Sequence, residues 1–372
     1  MQYKFEDIAI NSTAKKKPTE EDKDTYIGLE HLDSDCLYVT RWGADAAPTG
    51  EKLLMKKGDV LFGKRRAYQR KVGIAPFDGI FSAHGMVLRP NEEIIDKDFF
   101  PFFISSDQFM ERAVRISVGG LSPTINWKDL RVQEFILPSI EEQRILADKL
   151  WAAYRLKESY KKLLTATQEM VKSQFIEIFY GMETTPVKDY IDDSFPGEWG
   201  TEDKDGNGVK VIRTTNFTNS GKLNLADVVT RSIEDRKVVR KQIKKYDTIL
   251  ERSGGTADNP VGRVVLFEED NLFLCNNFTQ VLRFKDVDPR FAFYALYYFY
   301  QTNRTAIRSM GSKTTGIQNL NMSKYLEIGI PNASDEDQKA FVTIAEQADK
   351  SEFELRKSIE AIDQVIKSLI NN

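Results

Sequence analysis

Five basic side chains lie within eight positions of the segment GDVLFGKRRAYQRKVG, residues 58–73. They are Lys64, Arg65, Arg66, Arg70 and Lys71. Lysine and arginine side chains neutralise phosphates, and an arginine can also bind a guanine edge through two hydrogen bonds. Tyr68, inside the cluster, could stack on a base or form a hydrogen bond. These residue types predict a contact with double-stranded DNA, and a solvated basic turn is the simpler alternative.

The rest of the chain does not share this positive charge, because all 372 residues together have a formal net charge of −3. A DNA-binding protein needs a basic face rather than a basic total, so the overall charge argues neither way. The length favours two domains. The only two cysteines, Cys36 and Cys275, are far apart and indicate no disulfide framework. Without a membrane-length apolar run or a signal-peptide pattern, we expect a cytoplasmic protein with no membrane contact.

Motifs for catalysis or cofactor binding are missing from the sequence. It has neither a G-x-G-x-x-G nor a G-x-x-x-x-G-K-[ST] pattern. The tetrapeptide Asp258-Asn259-Pro260-Val261 lacks the second proline and the aromatic residue of an amino-methyltransferase motif. Residues 203–208 match the start of an EF-hand loop, but its twelfth position is Thr214 instead of glutamate. We therefore predict no catalytic residue, no bound metal and no cofactor held by this chain.

An internal repeat organises the sequence. The segment ILPSIEEQR, from Ile136, matches IPNASDEDQ, from Ile330, with Gln143 and Gln338 separated by 195 positions. Val87-Leu88-Arg89 matches Val281-Leu282-Arg283 at an offset of 194, Asp59 matches Asp247 at 188, and YIGLEHL matches VIRTTNF at 185. Offsets that drift in order along the chain indicate a tandem duplication with altered loops. We expect a mixed domain followed by a long helix, and then the same pair again.

Both predicted helices carry apolar or small residues at alternating steps of four and three. In the first helix these are Leu146, Leu150, Ala153, Tyr160, Leu164, Val171 and Ile178, with Lys157, Thr167 and Gln174 in the same track. In the second helix they are Ala345, Ala348, Leu355, Ile359, Ile362, Ile366 and Leu369, with Glu352 in the track. A seven-residue period is typical of a coiled coil. Each stripe could pack on its own domain, but the repeated seam favours an antiparallel pair of helices, each roughly 60 Å long.

The order of these segments resembles the specificity (S) subunit of type I restriction-modification enzymes, over essentially the whole chain. The supporting segments are GDVLFGKRR, GGLSPTINWKDLRVQEFILPSIEEQR, VIRTTNF, YDTILERSGGTADNPVGR and IPNASDEDQ. The resemblance implies an α+β protein with two target recognition domains, residues 1–138 and 182–333, and spacer helices at 139–181 and 334–372. The second helix departs from the expected order in one respect. It begins with Asp337-Gln338-Lys339, where Glu-Gln-Arg is more usual.

The resemblance also implies the function and the partners. Each recognition domain would read one half of a bipartite, asymmetric DNA site at a spacing fixed by the helices. The helices would bind two adenine methyltransferase (M) subunits, whose cofactor is S-adenosylmethionine, and the sequence leaves open whether restriction (R) subunits join. A protein-interaction scaffold without catalysis is the alternative function.

The second copy has different residues where the first has its basic cluster. Glu251 is followed by Arg252, Ser253 and two glycines, and the longer loop continues to Arg263. We predict DNA contacts from Arg252, Ser253 and Arg263. A second polar cluster could bind DNA or form a structural turn, and its members are Arg213, Thr214, Thr215 and Asn216. By resemblance, Lys313-Thr314-Thr315 and Gly119-Gly120-Leu121-Ser122 are expected to contact phosphates.

Overall fold

The computed structural model describes residues 1–256, 258–314 and 317–371, and for Lys313 and Thr314 it describes only the backbone. The chain divides into two compact units. Unit 1 comprises Met1–Leu163 and Glu354–Asn372, and unit 2 comprises Leu164–Phe353. Two long helices, Ile140–Phe179 and Asp335–Asn371, have 40 and 37 residues and are named here the first and second long helix. Each unit therefore contains a globular region and a part of both long helices.

The main sheet of each unit has four antiparallel strands in the same order. In unit 1 the strands, from edge to edge, are Ala9–Ser12, Met86–Pro90, Val60–Phe62 and Val72–Ile74. In unit 2 they are Ile191–Pro196, Thr279–Phe284, Thr248–Glu251 and Val264–Leu266. The third strand in each order is buried at every position, as expected for an apolar strand inside a covered sheet. The shared topology confirms the mixed fold and the internal repeat.

A second sheet in each unit is built on a short parallel pair, but the two units extend it differently. In unit 1 the pair is Tyr26–Ile27 and Gly79–Phe81, and the added strands are Lys52–Met55 and Lys15–Lys16. In unit 2 the pair is Val209–Ile212 and Phe273–Cys275, and the added strands are Val229–Ser232 and Thr201–Glu202. The added strands join the second member of the pair in unit 1 and the first member in unit 2. The two copies therefore share a framework and differ in their outer parts.

Small sheets and short helices complete the units. The remaining strand pairings are Gln2–Lys4 with Glu134–Ile136, Thr184–Pro186 with Gly329–Pro331, and Ile317–Leu320 with both Gly311–Thr314 and Ser253–Gly254. The shorter α-helices are Phe5–Ile8, Phe100–Ser105, Asp107–Arg115, Trp127–Leu130, Asp235–Lys241, Pro289–Thr302, Arg304–Met310 and Met322–Tyr325. The 3₁₀ turns are Glu20–Thr25, Leu29–His31, Ala67–Gln69, Val187–Tyr190 and Thr214–Asn216.

The repeated acidic-glutamine pair at the start of each long helix has a structural explanation. Glu142 accepts hydrogen bonds from the backbone and hydroxyl of Ser139, at 2.8 and 2.7 Å, and the Ser139 hydroxyl accepts one from the Glu142 backbone. These contacts form a capping box, and the bond from the Ser139 hydroxyl lowers the pKa of the Glu142 carboxyl. In the second long helix Asp337 forms a hydrogen bond with the Ser334 hydroxyl. Aspartate therefore replaces glutamate in the same capping role.

The glutamine of each pair joins the long helix to the globular region of its unit. Gln143 is fully buried, accepts from the Asp96 backbone at 2.8 Å, and donates to the carbonyls of Ile94 and Pro138. Gln338 accepts from the Asp288 backbone at 2.9 Å and donates to the Ala333 carbonyl at 2.9 Å. Both side chains satisfy backbone groups that would otherwise be buried without partners.

In each unit the two long helices contact each other. In unit 1 the ammonium group of Lys157 pairs with Asp363, and Ile366 is buried in the same core as Leu150 and Tyr154. Leu146, Ala153, Ile362 and Leu369 pack against that core.

In unit 2 the amide of Gln168 binds Glu352 at 2.9 Å, while the rings of Phe175 and Phe179 contact Phe341. The partners fall from 352 to 341 as the first helix advances, so the helices run antiparallel.

The burial pattern places most of the apolar track on the inward side of each helix. Val171 is buried, and Tyr160, Leu164, Leu355 and Ile359 are half-buried. The prediction for Ile178 is wrong, because this residue is 41% exposed. Beyond Val171 the inward positions are Phe175 and Phe179, at steps of four, since two large rings fill the end of this core.

Candidate nucleic-acid interface

The basic cluster forms a closed loop between two strands of the main sheet of unit 1. The strands are Val60–Phe62 and Val72–Ile74, and the Gly63 backbone donates to the Lys71 carbonyl at 2.9 Å to close the loop. Arg66 and Arg70 have left-handed backbones, with φ of 56° and 52°, on either side of the 3₁₀ turn. This conformation is uncommon for a long side chain and is retained where the surroundings define the backbone.

Side-chain contacts within unit 1 engage three of the five predicted basic residues, namely Arg66, described below, and Arg70 and Lys71. The guanidinium group of Arg70 donates to Asp35 and to the Ser105 carbonyl, both at 2.7 Å, and it pairs with Asp107 at 2.9 Å. The ammonium group of Lys71 donates to the Leu29 carbonyl at 2.6 Å. These contacts hold the loop on its domain, so the geometry favours a structural role for both residues over phosphate binding.

Of the other residues of the cluster, Lys64 and Arg65 are half-buried, whereas Arg66 and Tyr68 are exposed. In the described part of the chain no side-chain hydrogen bond or ion pair engages Lys64 or Arg65. Tyr68 is 55% exposed. Burial, and after it the nearby charge of Lys15, lowers the pKa of Lys64. An anion bound beside Lys64 would favour its charged form.

The basic loop contacts the Gly-Gly-Leu-Ser turn, which lies about fifty residues further along the chain. The Arg66 backbone donates to the Pro123 carbonyl at 2.7 Å, and its Nε donates to the Ser122 hydroxyl at 3.2 Å. Arg65 also bridges to Thr124. We call residues 64–68 and 118–124 together the unit 1 edge. The sequence does not show that Lys15 and Ser122 are neighbours of the cluster, because only folding brings them close to it.

The second copy repeats this arrangement with other side chains. The backbones of Arg252 and Ser253 donate to the Phe278 carbonyl at 2.8 and 3.0 Å. The Ser253 hydroxyl donates to the Asn319 amide oxygen at 2.7 Å, and the Leu320 backbone donates to the Arg252 carbonyl. As in unit 1, a hairpin that precedes the last short helix is attached to the loop after the buried strand. Ser253 is itself buried, whereas the Arg252 side chain is half-exposed.

The remaining predicted contacts of unit 2 are mostly held inside the unit. Arg263 donates from Nε to Glu251, which is 2% exposed, at 2.6 Å. Asn216 is 3% exposed and bonds the backbones of Arg213, Asn224 and Asp227.

Arg213 pairs with Asp227 at 3.2 Å, and Thr214 is half-buried and accepts at its carbonyl from Arg263. This geometry favours the structural-turn alternative for the cluster. Lys313 lies in a strand opposite Gln318, its side chain is outside the described part, and Thr315 lies outside the described residues.

Neither a metal site nor a membrane span is found in the described ranges. No group of three or more His, Cys, Asp or Glu side chains is arranged to hold a metal ion among residues 1–256, 258–314 and 317–371. Over the same ranges, each helix is too short or too polar to cross a bilayer.

Two copies of one α+β domain, each with a hairpin attached to the loop after the buried strand and each followed by a long helix, define a duplicated two-domain protein. The chain belongs to the type I restriction modification DNA specificity domain family, whose model matches residues 3–166 and 194–364. The resemblance to type I specificity subunits is thereby confirmed. No curated relative matches the sequence.

Solved structures show the same fold at low sequence identity. The type I restriction-modification S subunit from M. genitalium is 13% identical, with a TM-score of 0.58, and the match covers 100% of this chain and 94% of that one. A chain from a study of complex assembly and conformational transition of the type I R-M system is 16% identical, with a TM-score of 0.56, and the match covers 100% and 96%.

Proposed function

We propose that this chain is the DNA sequence-recognition subunit of a type I restriction-modification complex. Unit 1 and unit 2 would each bind one half of a bipartite, asymmetric site in double-stranded DNA. The chain would have no catalytic activity of its own. Two adenine methyltransferase subunits would bind it in the cytoplasm and supply S-adenosylmethionine and the chemistry, and restriction subunits would join where the host has them.

One observation carries this proposal: the same architectural position holds different side chains in the two units. After the buried strand, unit 1 has Lys64, Arg65 and Arg66, whereas unit 2 has Arg252, then Ser253 and two glycines. In both units the hairpin before the last short helix is attached to this loop. Two domains that bind different base sequences need the same framework with different exposed side chains, because side-chain contacts to base edges determine the sequence that is bound.

The second sheets support the same interpretation. Their extra strands are added to opposite members of the parallel pair in the two units. The two units therefore differ in their outer strands as well as in the charge of their recognition loops. Two such units would bind two different half-sites, which makes the whole site asymmetric.

Methylation mapping tests the proposal. The chain is co-expressed with the adenine methyltransferase of its host in cells that lack other adenine methylation, and methylated sites are mapped by long-read sequencing. We expect a bipartite motif that depends on this chain. The absence of any such motif would contradict the proposal, and chain-dependent association of proteins without DNA would favour the scaffold instead.

A triple variant assigns one half of the motif to unit 1. Lys64→Ala, Arg65→Ala and Arg66→Ala together should relax one half-site and leave the other half specified. Lys97, Lys204 and Lys285, all exposed and replaced by alanine, provide a control with the same loss of charge outside the recognition loops and the long helices. Relaxation of both halves, or of neither, would argue against separate reading by the two units.

A further inference from the structure

The tip of the hairpin in the unit 1 edge exposes apolar side chains in a polar surrounding. Val118 and Thr124 pair across the hairpin, and the tip between them reads Gly119-Gly120-Leu121-Ser122-Pro123. Leu121 is 96% exposed and Val118 is 67% exposed. The Arg66 contacts to Ser122 and Pro123 hold the far side of the tip against the basic loop. Leu121 is thus presented to solvent from an anchored turn, next to the basic loop that carries Lys64 and Arg65.

Gly120 gives a second and independent indication that something outside the chain approaches this tip. A Cβ added at Gly120 would meet no heavy atom within 4 Å, and the residue does not have a positive φ. Among the glycines of the described ranges, Gly120 alone combines these two properties. Neighbouring Gly119 has a φ of +121°, so its own backbone requires glycine. Packing and backbone conformation within the chain would accept alanine at 120.

Glycine at such a position is explained by the close approach of another molecule to the backbone. The approaching surface must also suit a leucine, which cannot bind a phosphate. Lys64, Arg65 and Arg66, directly beside the tip, suit a polyanion. In DNA these two requirements are met side by side, because the phosphates border grooves whose floor carries thymine methyl groups, base faces and deoxyriboses.

We propose that Leu121 makes an apolar contact inside a groove of the DNA half-site bound by unit 1, with Gly120 allowing the backbone to lie close to the duplex. Apolar side chains in a groove contact thymine methyl groups or insert between base steps. The neighbouring cations hold the phosphates on the groove border. This role replaces the phosphate contact expected for the Gly-Gly-Leu-Ser turn, and it rests on the proposed function.

Salt dependence separates an apolar contact from an ionic one. The full chain, in complex with its methyltransferase, is titrated with a duplex that carries the mapped site over a series of potassium chloride concentrations. Leu121→Ala should weaken binding about tenfold, because most of the buried apolar area of the side chain is lost. The slope of log K against log salt should stay unchanged, since no phosphate contact is removed. Ile136→Ala, at another exposed aliphatic residue of unit 1, is the matched control.

Gly120→Ala is the second variant, and it keeps the test independent of leucine. Nothing in the chain opposes the added methyl group, so the stability in urea should be unchanged or slightly higher, while DNA affinity falls. With a duplex scrambled in the half-site of unit 1, both variants should bind like the wild-type complex. This result would place the contact in that half-site.

Three outcomes would overturn the inference. They are unchanged affinity in both variants, a lower salt slope for Leu121→Ala, and impaired assembly of the variant with the methyltransferase in the absence of DNA. The last result would mean that the partner protein covers Leu121. If the wild-type complex shows no preference for any DNA site, the proposed function itself fails, which is a different result from normal binding by the variants.

Discussion

Arg89 and Asp59 form a bidentate salt bridge in unit 1, with nitrogen–oxygen distances of 2.7 and 2.9 Å. Arg283 and Asp247 repeat it in unit 2 at 2.9 and 2.7 Å. Each aspartate directly precedes the buried strand of the main sheet, and each arginine comes from the neighbouring strand. Asp59 also accepts from the Lys56 backbone at 2.8 Å. The pair therefore fixes the turn that leads into the strand carrying the recognition loop.

Removal of the Arg89 side chain should destabilise unit 1. Arg89→Ala leaves Asp59, which is 6% exposed, without its charge partner. Breaking a buried ion pair costs about 3–5 kcal/mol, and we expect less here because the Arg89 side chain is 38% exposed. Arg41→Ala is the control, since Arg41 and Asp33 are both more than half exposed and such pairs contribute about 0–1 kcal/mol. Urea unfolding measures both, and equal losses would contradict the structural role of the buried pair.

The buried amide of Gln143 predicts a pH-dependent loss of stability in one variant. Gln143→Glu would place a carboxyl group opposite the carbonyls of Ile94 and Pro138, which accept from the amide in the native protein. Because the charged form is disfavoured there, the folded pKa of the new carboxyl would be raised above its unfolded value. Stability should then be higher near pH 4 and fall as the pH rises through the folded pKa.

Gln143→Met, which has no titrating group, is the matched control. It leaves the Asp96 backbone donor and the two carbonyls unsatisfied, at a cost of about 1–3 kcal/mol for each buried group. Thermal unfolding of both variants between pH 4 and 8 is compared with that of the wild-type chain. If the glutamate and methionine variants show the same pH dependence, the assigned hydrogen bonds are wrong.

The buried ion pair between the long helices in unit 1 should respond differently to single and double substitution. Lys157 is 7% exposed and pairs with Asp363. The single variant Asp363→Leu leaves the ammonium group buried without its partner and should cost about 3 kcal/mol, at the lower end of the range for such pairs, and Lys157→Met is the other single variant of the cycle. The double variant Lys157→Met, Asp363→Leu replaces the pair with apolar groups and should recover most of that loss. A double-mutant cycle in urea measures the coupling, and additive losses would show that the pair does not interact.

The framework of this protein was predictable from sequence because its evidence is periodic or repeated. The offset of 195 between Gln143 and Gln338 identified two equivalent helix starts, and the structure shows the same hydrogen-bonding role at both. The heptad pattern identified most of the inward face of the long helices. It failed at Ile178, because the rings of Phe175 and Phe179 take over the core at the end of the helix. Such a local change depends on the volume of the packed side chains, which periodicity does not report.

The candidate interface was less predictable, because charge in the sequence does not show which cations have partners. Arg65 and Arg70 are five positions apart in one basic cluster, yet only Arg70 is tied to Asp35, Ser105 and Asp107. These partners come from distant parts of unit 1 and have no signal in the local sequence. The attachment of residues 118–124 to the basic loop is a long-range contact of the same kind.

Those two arginines provide a matched test of the interface. Arg65→Ala removes an arginine for which the described part of the chain offers no side-chain partner, so the stability of the full chain in urea should stay within about 0.5 kcal/mol of wild type. Its loss should weaken DNA binding by the methyltransferase complex and reduce the salt slope by about 0.9 if the side chain contacts one phosphate. Arg70→Ala breaks three internal contacts, so it should lower stability while the salt slope of the folded complex is retained. If only Arg70→Ala reduces the salt slope, the assignment is contradicted. The DNA contact would then lie on the side of the loop where Arg70 contacts its own unit.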